Sequence, residues 1–136
     1  MLARWRRHVW FIDSSDVPSR VLIVDDHSVF RSRARLLLEV AGYDVVGEAE
    51  DADSAVAETN RLEPDVVLVD VQLPDRDGFA VADELSRGMH PPQVVLISSR
   101  EATDFGGRLP DAHSRGFIHK PELSRASLEA CLVDRT

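Results

Sequence analysis

Three continuous apolar runs punctuate the chain: Val21-Leu22-Ile23-Val24, Val66-Val67-Leu68-Val69 and Val94-Val95-Leu96-Ile97, with a shorter Gly116-Phe117-Ile118-His119 behind them. They are rich in β-branched residues and lack polar alternation, which predicts strands covered on both faces. Between them the period changes. Phe30, Ala34, Leu37, Leu38 and Ala41 recur at helical spacing with Arg31, Arg33, Arg35 and Glu39 interleaved, and Gly42 supplies a stop. Val45-Val46 predicts a short second strand, followed by a helix over Asp53 to Leu62 that ends at Pro64. Gln72 to Gly78 reads as a loop, Phe79 to Arg87 as a helix broken by Gly88, and Glu122 to Val133 as a last helix. Gly106-Gly107, Pro110 and few apolar residues between Glu101 and Arg115 predict a fourth helix that is short, frayed or partly loop.

Strands alternating with helices imply a parallel sheet built from right-handed crossovers. The expected fold is α/β, a flavodoxin-like, doubly wound five-stranded parallel sheet of order 2-1-3-4-5. Residues 1–19 stand apart. Arg4, Trp5, Arg6, Arg7, Trp10 and Phe11 precede a linker-like Asp13 to Ser19, so this stretch reads as a flexible extension to a domain over residues 20–136. Docking of Trp5, Trp10 and Phe11 on the domain or on a partner is the sharper alternative.

Composition narrows the classes. A length of 136 residues fits one domain, and 24 Asp and Glu against 16 Lys and Arg give a formal charge of -8. That balance argues against direct nucleic-acid binding and leaves room for carboxylates gathered around a cation. Cys131 is the single cysteine, which excludes an intramolecular disulfide and a thiolate cluster and suits a reducing cytosol. Val9 to Ile12 is too short for a signal-peptide core, and no apolar run approaches the roughly 20 residues of a membrane span. A cytoplasmic protein is expected.

In an open parallel sheet, sites form beyond the carboxyl ends of the strands, where strand order reverses. The first strand delivers Asp25 and Asp26 there, the third Asp70, the fourth Ser98 and the fifth Lys120. Like charges brought together need a cation between them, and clustered carboxylates suit Mg²⁺. A carboxylate nucleophile with a lysine and a hydroxyl facing it suits phosphoryl transfer. Taken singly, each residue has a plainer role: Asp25 or Asp26 as a helix cap, Asp70 as a turn former before Pro74, Ser98 as an N-cap and Phe117 as core. The joint pattern is what favours chemistry. His8, His27, His90, His113 and His119 show no metal-ligand spacing, and only His27 lies near these positions.

The segments Val21 to His27, Val66 to Pro74 with Asp77-Gly78, Val94 to Ser99 and Gly116 to Pro121 resemble the receiver domains of bacterial two-component response regulators, closest to the NarL/FixJ type. The resemblance covers residues 20 to 133. It implies that Asp70 is the phosphoacceptor, Asp26 a direct Mg²⁺ ligand and Asp25 a ligand through water, with the Gln72 carbonyl completing the protein's share of the shell. It also implies that Ser98 is the switch hydroxyl, Phe117 the switch aromatic and Lys120 the phosphate-contacting lysine, with a cis Lys120-Pro121 bond. The implied partners are a histidine kinase or phosphotransfer protein and a downstream protein, and the domain is not an enzyme beyond slow self-dephosphorylation.

Two features depart from the family pattern. The weak fourth helix leaves a homodimer face open. The sequence stops after the fifth helix, which reads as a stand-alone receiver. Two rivals remain. A Mg²⁺-dependent phosphohydrolase of the haloacid dehalogenase type would want an Asp two residues after its nucleophile, where Gln72 stands. A phosphorylation-independent interaction module would lack part of the acidic pair, acceptor and lysine, and none is missing.

Overall fold

The computed structural model describes residues 19–111 and 113–132, and the backbone of Trp5–Arg6 and Val9–Trp10. Those two N-terminal pairs face each other antiparallel, Trp5 opposite Trp10. The expectations of a flexible extension, and of docking by Trp5, Trp10 and Phe11, otherwise lie outside the described residues.

Five parallel strands form the sheet: β1 (Arg20–Val24), β2 (Asp44–Ala49), β3 (Val66–Asp70), β4 (Gln93–Ser98) and β5 (Gly116–His119). Their spatial order is β2-β1-β3-β4-β5, so the expected 2-1-3-4-5 arrangement holds. The helices are α1 (Ser28–Val40), α2 (Ala52–Leu62), α3 (Gly78–Ser86), α4 (Arg108–Asp111) and α5 (Arg125–Leu132).

The apolar runs are buried because alternate residues feed opposite faces. Leu22, Val24, Val67, Val69 and Leu96 pack with Ala52 and Ala55 of α2 and with Val81 and Leu85 of α3. Val21, Ile23, Leu68, Val95 and Ile97 pack with Ala34 and Leu38 of α1 and with Leu128 of α5. Each fully buried Val, Leu or Ile among them contributes about 1.5–3 kcal/mol. The central strands are thereby fixed in register, and register is what brings their acidic ends together.

Local capping places the helix starts. Asp51 caps α2 by accepting the Ser54 N–H at 2.8 Å, and the Asp75 carboxylate accepts the Ala52 and Asp53 N–H groups at 2.8 and 3.0 Å. The helix therefore starts at Ala52, one residue before the expected Asp53. Asp77 caps α3 by accepting the Ala80 N–H at 2.9 Å. Gly42 takes φ +100°, which lets Tyr43 N–H return to the Leu38 carbonyl and close α1.

Three expectations need correction. β2 is longer than Val45-Val46: it extends through Gly47 and Glu48 to Ala49, with a register shift opposite Val21/Leu22. An edge strand needs only one paired neighbour, so its apolar pattern is broken. The Lys120–Pro121 bond is trans, and no cis peptide occurs among the described residues. Pro121 stands in the first turn of a 3₁₀ helix, Lys120–Glu122, where its fixed φ fits and its missing N–H is not needed. The last helix accordingly starts at Arg125 rather than Glu122, after Ser124 accepts the Ser127 N–H at 3.0 Å. The fourth crossover is as weak as expected, a 3₁₀ turn Ala102–Phe105 followed by a single turn of α4.

Candidate functional site

Val24 and Val69 are direct neighbours in the β1–β3 pair, so Asp25 and Asp70, which follow them, lie side by side at the carboxyl end of the sheet. Asp25 is fully buried and Asp70 nearly so, while Asp26 is exposed. Lys120 arrives from the end of β5 with a side chain only 12% exposed. Its Nζ lies 2.5 Å from Asp25 Oδ2 and 3.0 Å from Asp70 Oδ2. One ammonium thus bridges two buried carboxylates from different strands.

The other Asp70 oxygen is tied locally: Oδ1 accepts the Gln72 N–H at 2.9 Å. Burial pushes the Asp70 carboxyl above its ordinary range despite Gln72 and Lys120, and the charge of Asp25 adds to the rise. Burial alone would pull the Lys120 amine down, yet its contacts with Asp25 and Asp70 outweigh that and raise it. Lys120 is therefore held as an ammonium beside Asp25 and Asp70.

Asp25, Asp26, His27 and Asp70 each offer a ligand atom within 4.8 Å of the others. His27 Nδ1 stands 3.1 Å from an oxygen of both Asp25 and Asp26. Asp25 Oδ2 makes no well-angled hydrogen bond among the described residues, its Lys120 contact being an ion pair. Buried oxygen donors with unspent lone pairs are the donor chemistry a hard divalent cation takes. The cluster could hold a metal.

The surrounding chain holds this end of the sheet in place. Arg31 donates to the Asp25 carbonyl at 2.6 Å and to Glu48 at 2.9 Å. Glu48 also accepts from Arg35 at 2.8 Å, so α1 and β2 are clamped to the end of β1. Gly78 N–H donates to the Val71 carbonyl at 2.7 Å and folds the β3–α3 loop back on the end of β3.

The remaining expected residues take different positions. Ser98 is fully buried at the end of β4, and its hydroxyl accepts the Arg100 N–H at 3.0 Å rather than bonding a carboxylate. Among the described residues no bond is made by its own O–H, which is left to donate. Phe117 packs edge to face with Phe105 at 5.8 Å, and Phe105 with Phe79 at 5.9 Å, which forms an aromatic row beside the site. Arg108 lies 4.1 Å over Phe79 while pairing with Asp77, so α4 is pinned to the α3 N-terminus. His119 donates its Nε2–H to the Ser99 carbonyl at 2.9 Å and lies 3.5 Å from Glu101 through Nδ1.

Sequence reading missed Arg31, Glu48 and Phe105. Arg31 is one of four polar residues interleaved along α1, and Glu48 lies outside the expected Val45-Val46 strand, so no local signal marks the pair. Only the crossover brings them together.

The sequence pattern of the response regulator receiver domain matches residues 21–132. The chain belongs to the response regulator receiver family. PdtaR, a transcriptional regulatory protein of Mycobacterium tuberculosis, is 37% identical over 105 residues, covering 77% of this chain and 51% of the relative. The nitrate/nitrite response regulator NarP of Escherichia coli is 35% identical over 114 residues, covering 83% and 53%. The chain spans about half the length of these curated relatives. The signal receiver domain of a NarL response regulator from Mycobacterium tuberculosis superposes with a TM-score of 0.74 at 30% identity, covering 86% of this chain and 98% of that one. Among the described residues no helix is long and apolar enough to cross a membrane.

Proposed function

We propose that Asp70 accepts a phosphoryl group and that the charge it gains switches the surface this receiver presents. The single observation that carries the reading is the Lys120 bridge between Asp25 and Asp70 beside an exposed Asp26. A carboxylate oxygen of Asp70 attacks the phosphorus of a phosphohistidine, the P–N bond breaks, and the imidazole leaves with the bonding pair. Lys120 keeps its proton and meets the phosphoryl oxygens as a cation. Ser98, with its O–H unspent, donates to one of them, and Phe117 moves with the rearranged β4 end. The carboxylates of Asp25, Asp26 and Asp70 with the Gln72 carbonyl would hold Mg²⁺, which when bound neutralises charge on the transferring group.

The phosphodonor is a histidine kinase or phosphotransfer protein and the output is contact with a downstream protein in the cytoplasm. The added charge of about -1.5 to -2 at one strand end is what the second partner reads. Turnover of external phosphoesters is not part of the reading: two positions after Asp70 stands Gln72, whose side chain is no general acid.

Incubation with acetyl phosphate and Mg²⁺, followed by intact-mass measurement, tests this. Wild type gains one phosphoryl group, and Asp70→Asn gains none. An equal gain in Asp70→Asn overturns the acceptor assignment. No gain in wild type leaves a phosphorylation-independent module. Sustained hydrolysis of p-nitrophenyl phosphate would favour a phosphohydrolase.

A further inference from the structure

Phe30 occupies an apolar position of α1 and packs against the cluster that holds Val21, Ile23 and Leu38. It also makes a contact that core packing does not require. Lys120 Nζ lies 4.5 Å from the centroid of the Phe30 ring. The ammonium thus meets the negative face of an aromatic ring on one side and the carboxylates of Asp25 and Asp70 on others, at 2.5 and 3.0 Å.

We infer that Phe30 is a positioning residue for Lys120, and this rests on the reading that Lys120 acts on the group arriving at Asp70. The four-carbon stem of a lysine is flexible and its ammonium is a point charge without a preferred direction. Carboxylates hold it only while they stay unspent. Asp70 loses its free carboxylate on phosphorylation, and a cation in the acidic cluster competes for Asp25. The ring does neither: it is uncharged, takes no proton and ligates no metal. It therefore keeps the ammonium beside the acceptor while the other partners change. α1 is suited to the task, because the neighbouring Arg31 fixes its first turn to the Asp25 carbonyl at 2.6 Å and to Glu48 at 2.9 Å.

Two measurements on the full chain test the inference. In ¹H–¹³C spectra of wild type, the Lys120 ε-methylene protons are shielded by the ring, whether or not Asp70 accepts phosphate. Unshielded shifts there overturn the inference without any variant being made. Phosphorylation by acetyl phosphate and Mg²⁺ is then timed in wild type, Phe30→Leu and Phe30→Tyr, with thermal melts beside it. Phe30→Leu is expected to load about tenfold more slowly, the scale of a largely desolvated cation–π contact, while Phe30→Tyr loads near the wild-type rate. Equal rates in Phe30→Leu and wild type, or equal slowing in both variants, overturn it. Wild type that takes up no phosphoryl group fails the acceptor reading instead, and the shielding of Lys120 still decides the role of Phe30.

Discussion

Gly78 lies against Asp70 so closely that a Cβ built on it would fall 2.5 Å from the Asp70 carbonyl oxygen and 2.9 Å from Val71 Cα. Both obstacles are backbone, so no side chain can swing aside. The loop carrying Gln72 and Asp77 can close against Asp70 only if residue 78 has no side chain.

Gly78→Ala is therefore expected to cost about 1–3 kcal/mol, as overpacking against fixed atoms does. Urea titration should show a lower midpoint with an unchanged slope. The strained loop should also slow loading of Asp70 by acetyl phosphate. A midpoint equal to wild type would mean that the approach relaxes freely, and the constraint on the loop would be withdrawn.

Asp26→Ala separates metal binding from fold stability. The side chain is 37% exposed, and its Oδ1 lies 3.1 Å from His27 Nδ1. Removal should change metal-free stability by less than about 0.5 kcal/mol, as surface substitutions do, with any gain reflecting relief of like charge. The rise in melting temperature on adding Mg²⁺ should shrink clearly. An undiminished metal-induced rise would remove Asp26 from the ligand set.

The sheet was legible in the sequence because its apolar runs are continuous, and continuity is what two covered faces demand. The convergence of Asp25, Asp70 and Lys120 followed from strand order alone. Side-chain detail was not legible in the same way. Adjacent Asp25 and Asp26 read alike, yet one is buried under Lys120 and the other faces out. Glu48 gave no signal, because the spacing that pairs it with Arg31 exists only after the first crossover has closed. The bland and chemical readings of Asp70 also turned out compatible: Oδ1 makes the local turn bond to Gln72 while Oδ2 meets Lys120. Burial, which sequence does not print, decides which oxygen does what.

Lys120→Met removes the cation from between two carboxylates that are 0% and 4% exposed. Breaking a buried pair by deleting one partner costs about 3–5 kcal/mol, because the remaining charges stay dry and uncompensated. Thermal melts should show that loss, and Lys120→Met/Asp70→Asn should recover part of it by removing one of the stranded charges. A divalent cation should raise the melting temperature of Lys120→Met more than that of wild type, having no ammonium to compete with. If Lys120→Met melts where wild type does, the bridge is not what holds this end of the sheet.

Glu48 supplies the pH dependence. Burial by itself would raise its carboxyl, but hydrogen bonds from Arg35 and Arg31 override that and hold it below the ordinary carboxylate range. A carboxyl whose folded pKa is depressed stabilises the fold fully above its unfolded value, about 4.3, and loses that contribution as pH falls through the folded value. Glu48→Gln should thus be less stable than wild type at about pH 7, by roughly 0.5–1.5 kcal/mol, with Arg35 exposure and salt pulling toward the lower figure. The gap should narrow as pH falls and close only below the depressed folded value, where wild type has also lost the charge. Because Arg31 holds the Asp25 carbonyl as well, Glu48→Gln should also loosen the end of β1, read as faster amide exchange at His27, whose N–H donates to Asp25 Oδ1 at 2.8 Å. Urea titrations of both proteins across the acid range decide it. A stability gap that stays constant with pH would show that Glu48 acts through shape and not through charge.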